Sequence, residues 1–253
     1  MAKSVIKGMP FLVGGHRLSK HTMSATLDYS AEEVDATCWE DLSLRAVPGL
    51  FGRDIAVEGA FAGDYEFELL NSTSGAGGTV MPLLLPLAPS AAFNTPAVAQ
   101  DVWLQSATPG GARGELQKFN QTYSADLDLL VGKIFVNSLT TPSTSTVTSN
   151  GINLGALTAG FLAWLNVQAA DIPGILGTTP QVVVTLESDV DNTFTTPIVR
   201  LTAAAITTTA NGLLYRLDGD TTPVTDTWWR VVATITGTTP SYPLLIGAGI
   251  SAG

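Results

Sequence analysis

Extended runs of β-branched and aromatic residues, closed off by Gly, Pro, Asn or Asp, constrain this chain more than anything else in it. Gln181-Val182-Val183-Val184-Thr185-Leu186, the stretch from Trp228 to Ile235, and Lys133-Ile134-Phe135-Val136 are such runs. Side chains of this kind fit a pleated, half-buried surface. Asp54-Ile55-Ala56-Val57-Glu58 and Tyr65-Glu66-Phe67-Glu68-Leu69 alternate polar and apolar, the period of a strand with one face in water. Thr158 to Trp164 continues into Leu165-Asn166-Val167 and reads as a strand. Helix signals are few: Ser30-Ala31-Glu32-Glu33-Val34 reads as one turn with Ser30 as its cap. Pro82, Pro86, Pro89 and Pro96 punctuate the next segment. Proline has no N–H to give a central strand, so Leu83-Leu84-Leu85 is expected as an edge strand or an extended crossing segment. The expected fold class is all-β.

The chain has 253 residues, room for one large β domain or two smaller ones. Leu139 to Asn150, rich in Thr and Ser, is the linker candidate, although Thr144 to Thr148 equally fits a solvent-facing strand. A boundary near residue 142 gives two domains, 1–142 and 143–253. Their charges are −6 and −4 of the total −10, so neither is a basic nucleic-acid-binding module. An acidic surface gains nothing from counterion release at phosphates. Charged residues make up 13% against 45% hydrophobic, which is not the composition of a disordered chain. It suits a subunit whose surface is covered by partners. Cys38 is the only cysteine, so no intrachain disulfide forms, and beside Trp39 it reads as a small buried hydrophobe. The N-terminus lacks the apolar core of a signal peptide. No stretch reaches the about 18 apolar residues of a membrane span. A soluble protein made in a reducing cytoplasm is expected, with no membrane anchor.

Candidates for chemistry fall away one by one. His16 and His21 are five apart, off the spacing of four that a helical metal pair needs. Ser188-Asp189-Val190-Asp191-Asn192 has neither the glycine nor the bidentate glutamate of a calcium loop, and reads as a hairpin turn. The Gly-rich stretches at 75–78 and 110–114 lack the Gly-Lys-Ser or Gly-Lys-Thr of a phosphate cradle. Glu66 and Glu68 share a strand face instead of opposing each other across a cleft. Trp228 and Trp229 point to opposite faces of a strand, one expected in the core and the other at an interface. No catalytic, cofactor-binding or metal-binding residue is expected, and no cofactor.

Several segments, in order, resemble a known family. Phe11-Leu12-Val13-Gly14-Gly15-His16-Arg17-Leu18-Ser19 is similar to the opening segment of tail tube (major tail) proteins of long-tailed bacteriophages. Val34-Asp35-Ala36-Thr37 follows, then Pro48-Gly49-Leu50 and Glu58-Gly59-Ala60-Phe61. Near the end, Trp228-Trp229-Arg230-Val231 with Thr236 to Tyr242 resembles the closing hairpin of longer members. Order and spacing carry the resemblance, and Cys38-Trp39-Glu40-Asp41 departs from the family's usual turn.

This resemblance implies a β-sandwich or barrel whose strands pair between subunits. The subunits would form stacked hexameric, or trimeric pseudo-hexameric, rings of a virion tail tube. DNA would pass through without specific binding. Tape measure, tail terminator and baseplate proteins would be its partners. It makes the N-terminal arm and the loop from Asp35 to Pro48 the stacking elements, with Lys7, Arg17 and Lys20 meeting Glu32, Glu33, Asp35, Glu40 and Asp41. Glu58, Glu66 and Glu68 become candidate acids of the lumen. The second part, β-sandwich-like, is then an outer decoration or a divergent second tube domain. The alternative is a carbohydrate-binding, adhesion or capsid-decoration sandwich of a virion, with Trp228, Trp229 and Tyr242 as contact residues.

Overall fold

The structure is a computed structural model that describes residues 10–18, 22–35, 46–60, 80–88, 91–110, 118–125, 129–171, 174–207 and 211–252. Every element among them is a β-strand, so the fold class is all-β. The strands are β1 (Leu12–Val13), β2 (His16–Arg17), β3 (Thr22–Asp35), β4 (Ala46–Ala60), β5 (Met81–Pro86), β6 (Pro96–Gly110), β7 (Lys118–Ala125) and β8 (Leu130–Asn137). They continue as β9 (Val147–Thr148), β10 (Ile152–Asn153), β11 (Phe161–Ala169), β12 (Leu176–Asp189), β13 (Ile198–Thr202), β14 (Asn211–Asp218), β15 (Trp228–Ser241) and β16 (Leu244–Ala252).

Two compact units emerge, and neither is a continuous stretch of chain. Unit 1 comprises 1–6, 21–79 and 103–125; unit 2 comprises 7–20, 80–102 and 126–253. Residue 142 lies inside unit 2, so the compact units do not divide at the Thr-rich segment. That segment is no linker between them: Ser143 forms a bridge with Tyr242, and β9 pairs with β15.

Unit 2 is built from two antiparallel sheets. The smaller has the order β10-β15-β12-β13, with β9 also on β15, and the larger runs β14-β11-β16-β8-β6-β5-β1-β2. Alternation drives their packing. Val182, Val184 and Leu186 of β12 and Trp229, Val231, Ala233 and Ile235 of β15 are buried. They meet Leu165 and Val167 of β11 and Ile246 and Ala248 of β16 in one core. The larger sheet curls, so the other face of β11 is also covered. Trp164 packs there with Leu12, Leu84, Ile134 and Leu245. Gly132 and Gly249 make room for its ring: a Cβ on either would stand 2.5 or 2.8 Å from the indole. Two buried amides complete this face. Asn166 Nδ2 donates to the Leu83 carbonyl (2.9 Å) and Gln168 Nε2 to that of Pro82 (3.0 Å), while Gly15 N–H donates to Gln168 Oε1 (2.7 Å). Both amides thereby keep partners, as their burial requires.

Two sequence expectations need correction. Leu83 to Leu85 is neither an edge nor a crossing segment, since β5 lies between β6 and β1. Its prolines are tolerated because the β1 ladder is short: only Leu83 and Leu84 pair with it, and Pro82 and Pro86 flank that contact. Ser30 to Val34 is not a helical turn but part of β3. Its pairing with β4 through Ser30↔Gly52 and Val34↔Val47 outweighs local helix preference.

Candidate assembly surface

Unit 1 contains two hairpins that leave and re-enter unit 2 at different points of the chain. β3 and β4 pair antiparallel from Thr22↔Gly59 to Asp35↔Ala46. β4 pairs antiparallel with β7 from Asp54↔Ser124 to Ala60↔Lys118, and β7 pairs with β6. Seven residues connect β6 to β7, too few for a parallel crossover, so that pair is antiparallel as well. The order β3-β4-β7-β6 results. Among the described residues, β3 has β4 as its only strand partner, and the 103–110 stretch of β6 has only β7.

Register sorts the side chains of this sheet by face. Ile55 and Val57 of β4 and Tyr123 and Gln121 of β7 are buried on one side. Tyr123 Oη donates to Gln121 Oε1 at 2.9 Å, and burial pushes the phenol well above its usual pKa. The other side is polar. Asp54 and Glu58 stand opposite Ser124 and Asn120, with Ala56 and Asn120 exposed. Ser124 Oγ lies 2.6 Å from Asp54 Oδ1 and 3.1 Å from Gln105 Oε1. Lys118 stands at the end of this register, opposite Ala60.

The sequence-predicted residues distribute unevenly. Lys7, Lys20, Glu40, Asp41, Glu66 and Glu68 lie outside the described residues, as do His21 and Cys38. Glu32, Glu33 and Asp35 belong to the C-terminal end of β3, where Glu33 pairs with Pro48. Arg17 lies on β2 in unit 2, and its N–H donates to Asp171 Oδ1 at 3.2 Å. The same carboxylate takes His16, whose Nδ1 is 3.1 Å from Oδ2. Glu58 is half-buried on the polar face of β4.

The aromatics depart from the expectation of a surface set. Trp229 is fully buried, with Nε1 donating to the Gly155 carbonyl at 2.9 Å. Tyr242 is fully buried too; its hydroxyl reaches the carbonyls of Ile206 (3.1 Å) and Thr207 (3.0 Å), and burial pushes its pKa up to about 12. Trp228 alone is half-exposed. The surface reading of Trp229 and Tyr242 is therefore corrected: both fill the core between the two sheets. Strand parity separated the two tryptophans, but burial of Tyr242 depends on the distant Ile206 strand bridge, which no local pattern announces.

Unit 2 also holds a polar cluster that the sequence reading missed. A register shift on β13 bulges Arg200 out of its ladder, and bulges re-aim side chains. Arg200 Nε donates to Ser188 Oγ (2.7 Å) and its Nη2 to Asp226 Oδ2 (2.8 Å). Ser188 Oγ donates to the same carboxylate at 2.6 Å. The Ser188 hydroxyl, then Arg200, hold Asp226 below the ordinary carboxylate range against the opposing cost of burial. Ser188 is fully buried and its proton is already given to Asp226. The cluster ties β12, β13 and the 224–227 segment together and offers no reachable nucleophile. Beside it, Asp189 accepts the N–H groups of Val190 and Thr196, closing the β12–β13 hairpin that the sequence predicted at 188–192. No group of three His, Cys, Asp or Glu side chains suited to a metal ion occurs among the described residues. No helix there is long and apolar enough to cross a membrane.

Geometry and sequence together define an all-β protein whose long outer strand, β3, has a single strand partner among the described residues. No protein family matches the sequence, and no curated protein does. Among solved structures, the chain is similar to a component of the virion of a native gene transfer agent particle, at 15% identity and a TM-score of 0.38, covering 49% of this chain and 95% of that one. A chain from the sheath/tube terminator of the extracellular contractile injection system PVC gives 17% identity and 0.39, covering 50% and 94%. The SPP1 Dit (gp 19.1) protein gives 13% identity and 0.38, covering 96% and 99%. All three TM-scores lie below 0.5.

Proposed function

We propose that this chain is a non-catalytic structural subunit of a phage-tail-type tube, which builds rings by strand addition at the unit 1 sheet. One observation carries this reading: the order β3-β4-β7-β6, with a 14-residue strand outermost and β4 its only described partner. Unpaired N–H and C=O groups along a long edge recruit another strand. Four is an even number of antiparallel strands. Adding the next copy's β3 to the 103–110 stretch of β6 keeps every neighbour antiparallel and every copy in one orientation. Such a head-to-tail contact closes into a ring when its rotation divides the circle. Stacked rings make a tube. Ring orders of six, or of three with pseudo-sixfold character, both satisfy this tiling.

The segments that resemble tail tube proteins support the reading, since Val34-Asp35 and Pro48 to Gly59 fall on β3 and β4. In this proposal the polar face bearing Asp54 and Glu58 turns to the lumen, where carboxylates gain nothing from DNA phosphates and let the genome slide. Lys7, Arg17 and Lys20 on one ring and Glu32, Glu33, Asp35, Glu40 and Asp41 on the next steer ring stacking. The protein would reside in the virion, with tape measure, terminator and baseplate proteins as further partners.

Electron microscopy of the purified chain over a concentration series tests the assembly: rings or tubes appear as concentration rises. A strict monomer at every concentration contradicts it. Asp54→Lys with Glu58→Lys tests the lumen. Tubes still form and genome ejection slows; unchanged ejection would sink that part.

A further inference from the structure

We propose that a groove in unit 2, between the 91–95 and 143–150 segments, binds a neutral saccharide with the Phe93 ring as its stacking platform. The groove measures about 310 Å³, at the small end of the roughly 300 to 1,000 Å³ typical of ligand pockets. This inference rests on unit 2 alone and stands apart from the assembly reading.

Phe93 is 42% exposed, a large apolar ring left in water. Its position is nonetheless built. Phe135, itself buried, meets it edge-on with centroids 6.4 Å apart and planes at 90°. The segment carrying it is held to β8 from several points. Asn94 N–H donates to the Ile134 carbonyl and Ile134 N–H to that of Thr95, both at 2.8 Å. Asn137 Nδ2 donates to the Ala91 carbonyl at 3.2 Å. Two non-glycine residues that bracket the ring take positive φ, Ala91 at 43° and Asn94 at 66°. Backbone strain of this kind costs free energy and clusters where a ligand is met. Here it holds an apolar ring that packs edge-on against core Phe135 while leaving 42% of the residue in water.

Across the groove stand Ser143, Thr148 and Asn150. Among the described residues their side chains have no hydrogen-bond partner, so two hydroxyls and an amide remain available. No Asp, Glu, Lys, Arg or His lines the groove. An ionised ligand would leave water without a counter-charge, which is costly. A sugar fits this chemistry. Its C–H face meets the electron-rich face of the ring, and its hydroxyls exchange hydrogen bonds with neutral hydroxyl and amide groups.

The test is an array of neutral oligosaccharides ending in glucose, galactose or N-acetylhexosamine, beside sialylated and sulfated glycans and proline-rich peptides, probed with the full chain. At least one neutral glycan is retained. Phe93→Ala weakens it about fivefold or more, the loss expected for one aromatic anchor. Asn150→Ala weakens it less, and Phe93→Trp keeps it. Phe93→Ala gives up the edge-on contact with Phe135, so its melting is measured beside its binding; if it misfolds, Asn150→Ala and Phe93→Trp decide. Retention of none of the neutral glycans, preference for anionic glycans or peptides, or equal binding by Phe93→Ala each overturns the proposal.

Discussion

In unit 1 the outermost strand, β3, runs 14 residues and stays in unbroken register with β4 from Ser24 to Ala31. In the smaller sheet of unit 2 the outer strands β9 and β10 have two residues each, and β13 has five with a bulge at Arg200. Where β12 and β15 run on as an exposed ribbon, the same tetrapeptide, Gly-Thr-Thr-Pro, occurs in both strands and breaks the ladder in both. Gly177 and Gly237 take φ 120°, and Thr179 and Thr239 take φ 48°. A Cβ on Gly177 would stand 2.9 Å from the Thr239 carbonyl, and one on Gly237 2.8 Å from that of Thr179. Short strands and bulges are how sheets avoid unwanted pairing. The outer strands of this unit 2 sheet are thus short or bulged, while among the described residues the long β3 of unit 1 has β4 as its only strand partner. The contrast teaches that one chain carries both a sandwich with blunted outer strands and a sheet with a long outer strand, the edge on which the proposed assembly depends.

If that division is right, damage to unit 2 lowers stability without redirecting assembly. The largest effect is expected for Trp164→Ala, which empties a fully buried site and costs about 3–5 kcal/mol in chemical denaturation. Arg200→Met comes next, at about 3 kcal/mol, because Asp226 is left buried without its cation. The pH sense follows from the depressed pKa of Asp226. Its contribution is complete above the unfolded carboxylate value of about 4 and is lost as pH falls through the lower folded value. Acid unfolding followed by fluorescence should therefore be displaced in Arg200→Met relative to wild type. Tyr242→Phe costs about 1 kcal/mol through its lost hydrogen bond. Its raised pKa means that stability is intact below the unfolded value of about 10 and drains as pH rises toward about 12. An alkaline melting series should show that loss in wild type and a smaller one in the variant.

The smallest effect on stability, and the sharpest on assembly, is expected at β3. Successive N–H groups of a strand point to opposite sides. Of Ala25→Pro and Thr26→Pro, one removes an outward N–H and leaves the β4 ladder intact. That variant should keep the wild-type circular dichroism and fail to form higher species by light scattering. Two folded variants that both assemble normally would break the contrast between the units.

Much of the fold was legible in short patterns. The β-branched and aromatic runs at 181–186 and 228–235 read as strands and are β12 and β15, while their buried faces emerged only in the structure. On β4 the alternation of 54–58 did indicate a half-buried strand, and Ile55 and Val57 are its buried side. One signal went unread: Thr-Thr-Pro occurs at 140–142, 178–180, 195–197, 221–223 and 238–240. The residue after each proline, Ser143, Gln181, Ile198, Val224 and Ser241, is strand-paired. Proline without an N–H suits the position just before a strand, as Pro197 before β13, or a break within a ladder, as Pro180 and Pro240 in β12 and β15. The unit division was not legible, because it joins segments such as 7–20 and 126–253 through pairings of high sequence separation. The candidate edge was hidden for the same reason. That β3 is outermost depends on β7, about 60 residues on, taking the other side of β4, and composition carries no trace of that choice.

Amide hydrogen exchange of the full chain, compared between dilute and assembled samples, tests the central claim most directly. Alternate amides of β3, with those of the 103–110 stretch of β6, should gain protection on assembly, while β13 and the 176–180 ribbon stay unchanged. New protection at β13 or the ribbon, with β3 exchanging as before, would contradict it.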